Sequence, residues 1–221
     1  MTHAWWTGTE LVLLACALTA SLALRPWRML APGTDGAPLA TPFLATLTIV
    51  PWLWAWPAAT ALPIPLQWSA APLAVLMLGW PLAVPLLLAA GLSTMLTVHA
   101  SLAAALSTTL WSGLLPATLV LLLGHAARKA FGTHPAAYLL ARAYAVPLLA
   151  LFACALGAGA GGGPSLGAEP EMRTVVAGLL AMAEAAWTCA VATLLVACRP
   201  QWLATWSDGL YLGPPPGRKA A

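Results

Sequence analysis

Apolar residues come in long runs along this chain, separated by short clusters of Pro, Gly and charge. A helix needs about 20 apolar residues to cross a hydrocarbon core of about 30 Å, and the runs have that scale. The first predicts a helix over residues 5–24, stopped at Arg25-Pro26-Trp27-Arg28, where two cations and an interfacial tryptophan meet a helix breaker. A second covers 41–60 and ends before Pro63-Ile64-Pro65. The next stretch, 66–98, would be roughly 50 Å long as one helix, too long for one crossing. Gly79-Trp80-Pro81 is the expected break, giving helices over 66–79 and 80–98. Helix 5 is expected over 101–124, with Pro116 inside it and His125, Arg128 and Lys129 after it. Helix 6 spans 135–160 and runs into Gly161-Gly162-Gly163-Pro164, a flexible connection that also carries Glu169 and Glu171. Helix 7 covers 172–198 and closes on Arg199-Pro200. The fold class is therefore an all-α polytopic membrane protein with seven transmembrane helices, forming one integral membrane domain over 1–212. Residues 213–221 are a polar, Pro-rich tail.

Composition removes the soluble alternatives. Of 221 residues, 61% are hydrophobic and 7% charged, against about 25% charged in a soluble domain. The partner is the lipid bilayer, and the net charge of +3 is too small to argue for nucleic acid. The first run follows Trp5, Trp6 and Glu10 instead of a basic segment, so it reads as a retained helix and not a signal peptide. Four cysteines, Cys16, Cys154, Cys189 and Cys198, lie inside apolar runs without Cys-x-x-Cys spacing and read as packing residues.

Charge also sets an orientation. With the N-terminus outside, the inner segments hold Arg25, Arg28, Arg128, Lys129, Arg199, Arg218 and Lys219, and the outer ones hold Arg173. This bias predicts an N-out, C-in topology, and it needs the break at Gly79. Trp5, Trp6 and Trp68 then fall at the outer interface and Trp27, Trp80, Trp202 and Trp206 at the inner one, with Trp111 and Trp187 deep in the membrane.

Few residues carry chemistry. Arg142 and Glu184 are ionisable groups inside helices 6 and 7, costly in lipid unless they face a partner or a wet cavity. Their depths differ by roughly 11 Å at 1.5 Å per residue, so the expectation is a structural intramembrane pair. Positions 177, 181, 185, 189, 193 and 197 read Ala, Ala, Ala, Cys, Thr and Ala, a row of small residues that suits close packing within the chain. Ala15, Thr19 and Ala23 form a shorter row. At the N-terminus, His3 in Met1-Thr2-His3 is placed to chelate Ni²⁺ or Cu²⁺ together with the terminal amine and a backbone nitrogen, if the terminus is not simply solvated. His99, His125 and His134 sit near helix ends and read as capping or interfacial residues. No paired carboxylates, His-Glu-x-x-His, Gly-x-Ser-x-Gly or phosphate-binding Gly loop is present, so no enzyme is expected.

Glu184-Ala-Ala-Trp-Thr188, with the apolar run to Arg199-Pro200, resembles the last membrane helix of the CbiM/NikM family. These are the substrate-binding membrane components of cobalt and nickel energy-coupling factor transporters. The segment from Pro200 to Leu212 is similar to a divergent bacterial branch of energy-coupling factor permeases, and Gln67 to Gly79 matches more weakly. The resemblance implies a six-helix core plus an added N-terminal helix in a bacterial inner membrane. It implies capture of a small solute, Co²⁺ or Ni²⁺ in the family, near Thr2, His3, Gln67 and Glu184. It further implies a coupling membrane subunit and cytoplasmic ATPase subunits as partners, with no cofactor bound by this chain. Here His3 is offset by one position from the family's Met-His, and Gln67 stands where the family has a histidine, which weakens metal ligation. The alternatives are a membrane assembly or scaffold protein, and a membrane-embedded enzyme built around Arg142 and Glu184.

Overall fold

The computed structural model describes residues 2–32, 37–59, 67–161, 163 and 170–213, with only the backbone for 2–7, 58, 59, 160, 161 and 170. The expected turn at Pro63-Ile64-Pro65, together with Glu169, Arg218, Lys219 and the side chains of Trp5 and Trp6, lies outside the described residues.

The described residues are mostly helical, and none of them forms a strand. Helix α1 is Thr2–Ala23, and it ends where Arg25 takes a left-handed φ of 53° just before Pro26. Helix α2 is Ala40–Ala59, α3 is Ala71–Leu78 and α4 is Trp80–Thr97. Helix α5 runs over Leu102–Phe131, opened by the Ser101 hydroxyl, which accepts the Ala104 N–H at 3.2 Å, and closed by Gly132 at φ 75°. Helix α6 opens at residue 135, takes in the segment Ala137–Ala145 and continues through Val146–Gly161. Helix α7 is Pro170–Cys198, and a short α8, Asp208–Tyr211, follows.

Four of these helices are long and apolar enough to cross a membrane: Trp80–Thr97, Leu102–Phe131, Ala137–Gly159 and Glu171–Cys198. That number suits a multi-pass membrane protein.

Two helices are locally widened, and each widening has an adjacent cause. Thr109–Leu114 in α5 and Ala137–Ala145 in α6 are π-helical, and each lies just ahead of a proline, Pro116 and Pro147. Neither proline can donate to the carbonyl four residues back, so the preceding turns loosen while the helix continues.

The expected break occurs at Gly79, at φ 74° and ψ 158°, a conformation suited to glycine. Helix α3 itself departs from expectation. It has eight residues in place of 66–79, and residues 67–70 are not helical. At 1.5 Å per residue α3 is about 12 Å long, less than half a hydrocarbon core. It belongs inside the bundle: Ala71, Leu76 and Leu78 are fully buried. Its residues enter three separate core clusters, with Val50, Trp54 and Val120, with Tyr138 and Leu203, and with Leu82 and Leu86.

The far end of α3 is held by the segment after α7. Ala204 N–H donates to the Met77 carbonyl at 2.9 Å, and both the N–H and the hydroxyl of Thr205 donate to Leu76. Carbonyls at a helix end left inside a bundle need such donors.

The small-residue row on α7 is corrected by helix geometry. Ala177, Ala181 and Ala185 are buried, whereas Thr193 and Ala197 are exposed. Four residues turn a helix about 40° past a full revolution, so an i, i+4 row winds off the contact face within a few turns. The buried stripe follows 177, 181, 184, 188, 192 and 195 instead. On α1, Ala15, Thr19 and Ala23 are all exposed, and the buried face carries Glu10, Leu14 and Ser21.

Helices α4 and α5 are in tight contact at Gly91. A methyl there would overlap the Thr109 hydroxyl and come 3.0 Å from its Cβ. Gly91→Ala is expected to lower stability by about 1–3 kcal/mol, as overpacking does. Thr109→Ala in the same chain should recover part of that loss in thermal unfolding in detergent.

Candidate functional site

Glu184 is buried at 5% exposure, and among the described residues no cation pairs with it. Its two carboxylate oxygens accept the backbone N–H groups of Ser69, at 2.8 Å, and Ala70, at 2.7 Å. Ala70 sits at a left-handed φ of 55°, the conformation that turns both donors toward one acceptor. Ser69 is anchored further: its carbonyl accepts Trp54 Nε1–H at 3.0 Å, and its hydroxyl accepts the Ala71 N–H at 3.1 Å. A non-helical stretch inside a membrane bundle leaves its backbone polar groups unmatched unless protein supplies partners. A carboxylate does this with charge-assisted bonds.

Beside this junction is a cavity of about 90 Å³. Its polar lining comes from Gln67, Ser69, Ser112 and Glu184, and its walls from Trp111 and the small face of α7 at Ala177 and Ala181. The space suits several waters or a small solute, since one water needs roughly 10–15 Å³, and it falls short of the roughly 300–1,000 Å³ of drug-sized pockets. The π-helical turn of α5 brings Trp111 and Ser112 to this wall.

Trp111 closes one side. Its ring lies between Gly157 and Gly163: a Cβ on either would come within 3.1 Å or 2.7 Å of ring atoms. Its Nε1–H donates to Glu10 at 3.0 Å, and the Ser107 hydroxyl donates to the same oxygen at 3.0 Å. Glu10, 6% exposed, is a second buried carboxylate whose partners are neutral donors from a different helix.

Of the residues expected at the site, Gln67 and Glu184 line the cavity together. The side chains of Thr2 and His3 lie outside the described residues, although both positions have helical backbone in α1 or at its start. The expected pairing of Arg142 with Glu184 does not form. Glu184 is taken by two backbone donors, and Arg142 lines a different, smaller cavity that shares no residue with the first. The nucleus expected for a membrane-embedded enzyme is therefore not assembled. His134 Nδ1 accepts the Ala136 N–H at 3.2 Å, the capping role expected near a helix end, and His99 and His125 are exposed. Among the described residues no three His, Cys, Asp or Glu side chains cluster as metal ligands. Comparison with family models, curated proteins and solved structures returned no match.

Sequence reading passed over Glu10, Ser69 and Ser112 as site residues. Only Glu10 carried a signal, a lone carboxylate within the apolar stretch of α1 on one face with Leu14 and Ser21. Its donors lie about 100 positions away in sequence.

Proposed function

We propose that this chain is the solute-capture membrane component of an energy-coupling factor transporter, of the kind its last long helix resembles. The reading rests on one observation: an otherwise apolar bundle encloses a cavity whose polar groups, Gln67, Ser69, Ser112 and Glu184, come from three separate parts of the chain. In this account the protein crosses a bacterial inner membrane seven times, N-out and C-in, with the non-helical residues 67–70 and the short α3 together making the third crossing. Solute enters the cavity, and a coupling membrane subunit with cytoplasmic ATPases drives its release. Co²⁺ or Ni²⁺ is the cargo only if His3 completes the donor set, because Gln67 supplies an amide and both Glu184 oxygens are occupied.

Purification of the tagged chain from its native membranes tests the transporter reading. A second membrane subunit and ATPase activity are expected to come with it, and a chain isolated alone and without ATPase activity contradicts the proposal. Metal content of the same preparation tests the cargo: His3→Ala is expected to lose bound Co²⁺ or Ni²⁺. Equal metal in both proteins removes the metal assignment.

A further inference from the structure

Arg142 stands on the π-helical part of α6, five residues beyond Ala137. Its stem crosses α5 at Gly124, where a Cβ would lie 3.4 Å from Arg142 Nε. The guanidinium carbon lies 6.0 Å from the centroid of the Tyr138 ring. That ring is packed with Trp206 and Tyr211, with centroids 4.8 and 5.1 Å away. Arg142 Nε is buried without a hydrogen-bond partner.

Among the described residues no carboxylate pairs with this cation. Glu184 is bound to Ser69 and Ala70, and Asp208, the acidic residue of the adjoining α8, accepts Trp206 Nε1–H. A guanidinium within a spanning helix is expensive when it lacks an acceptor, which favours an acceptor that none of the described residues supplies. Arg128, in the last turn of α5, lines the same small cavity with Gly132, Tyr138 and Tyr211. Both arginines line this one space, and an anion seated there would sit beside two cations. Phosphate oxygens match their planar fork of donors.

We propose that Arg128 and Arg142 bind the phosphate of an anionic phospholipid headgroup at this end of the bundle. The cavity, about 10 Å³, admits a single oxygen, so the remainder of the headgroup lies outside it. Apolar surface for acyl chains is close in sequence to both arginines: Phe131 and Leu140 are each 66% exposed. That surface favours a lipid over free phosphate as the source of the oxyanion.

The test uses the full chain, delipidated in detergent, with thermal unfolding followed as phosphatidylglycerol, phosphatidylcholine or inorganic phosphate is added. Phosphatidylglycerol is expected to raise the midpoint, and phosphatidylcholine, whose choline cancels the charge, is not. Arg142→Gln should weaken the phosphatidylglycerol response about tenfold, the loss of one hydrogen bond to a charged group. Arg128→Gln, at a partly exposed helix end, should do the same and serves if Arg142→Gln fails to fold. Lys129→Gln, exposed and outside the cavity, should respond like the unaltered chain. An unchanged response in both arginine variants, or equal effects of the two lipids, overturns the proposal. Inorganic phosphate matching phosphatidylglycerol overturns the lipid assignment.

Discussion

Glu184→Ala is expected to cost about 3 kcal/mol of stability, because it strands two buried backbone donors at once. Each unmatched N–H costs about 1–3 kcal/mol, and removing a carboxylate from the bundle interior gives back part of its desolvation. The donors dominate, since Ser69 and Ala70 are themselves buried. Glu184→Gln separates charge from shape. Its one amide oxygen can accept one N–H while its NH₂ group opposes the other, so about half the loss is expected. Thermal unfolding of the three proteins in one detergent measures both, and equal midpoints would mean that the carboxylate does not pin this segment. Solute binding should fall in both variants, because Gln67 and Ser69 are positioned from the same stretch.

Trp111→Ala should cost a further-reaching 3–5 kcal/mol, the usual loss for an aromatic ring removed from a packed site. The ring fills the space between Gly157 and Gly163, and its N–H satisfies Glu10. Trp111→Phe keeps most of the ring and removes the donor, leaving Glu10 with Ser107, so about 1–2 kcal/mol is expected. The alanine variant also opens the cavity. With the other three cysteines replaced, Cys154, which is buried in the cavity wall, should react faster with a maleimide in Trp111→Ala than in the parent. An unchanged rate would show that Trp111 does not close that side.

Long apolar runs and their breakers were readable because lipid imposes one strong demand, a continuous stretch of apolar helix. The Gly79 break follows from that demand, since a single helix over 66–98 would overrun the membrane and glycine is the residue that tolerates the observed φ. What escaped the sequence is tertiary. Nothing in Gln67-Trp68-Ser69-Ala70 marks it as non-helical, and its conformation depends on a carboxylate more than 100 positions later. The same holds for Glu10, whose partners are fixed by how α1 lies on α5. Pairing Arg142 with Glu184 considered depth and omitted competition: backbone donors reached the glutamate. The small-residue row on α7 failed for a simpler reason, a period of 4 set against a helix of about 3.6 residues per turn.

Cysteine accessibility in intact membranes tests the central claim most directly: α3 is buried inside the bundle and the polar segment before it opens on a cavity. In a chain lacking its native cysteines, Gln67→Cys and Ser112→Cys are expected to react with a small water-soluble maleimide, while Ala74→Cys and Leu76→Cys stay unlabelled. Labelling of positions 74 and 76 as fast as 67, or none at 67 and 112, would contradict the account.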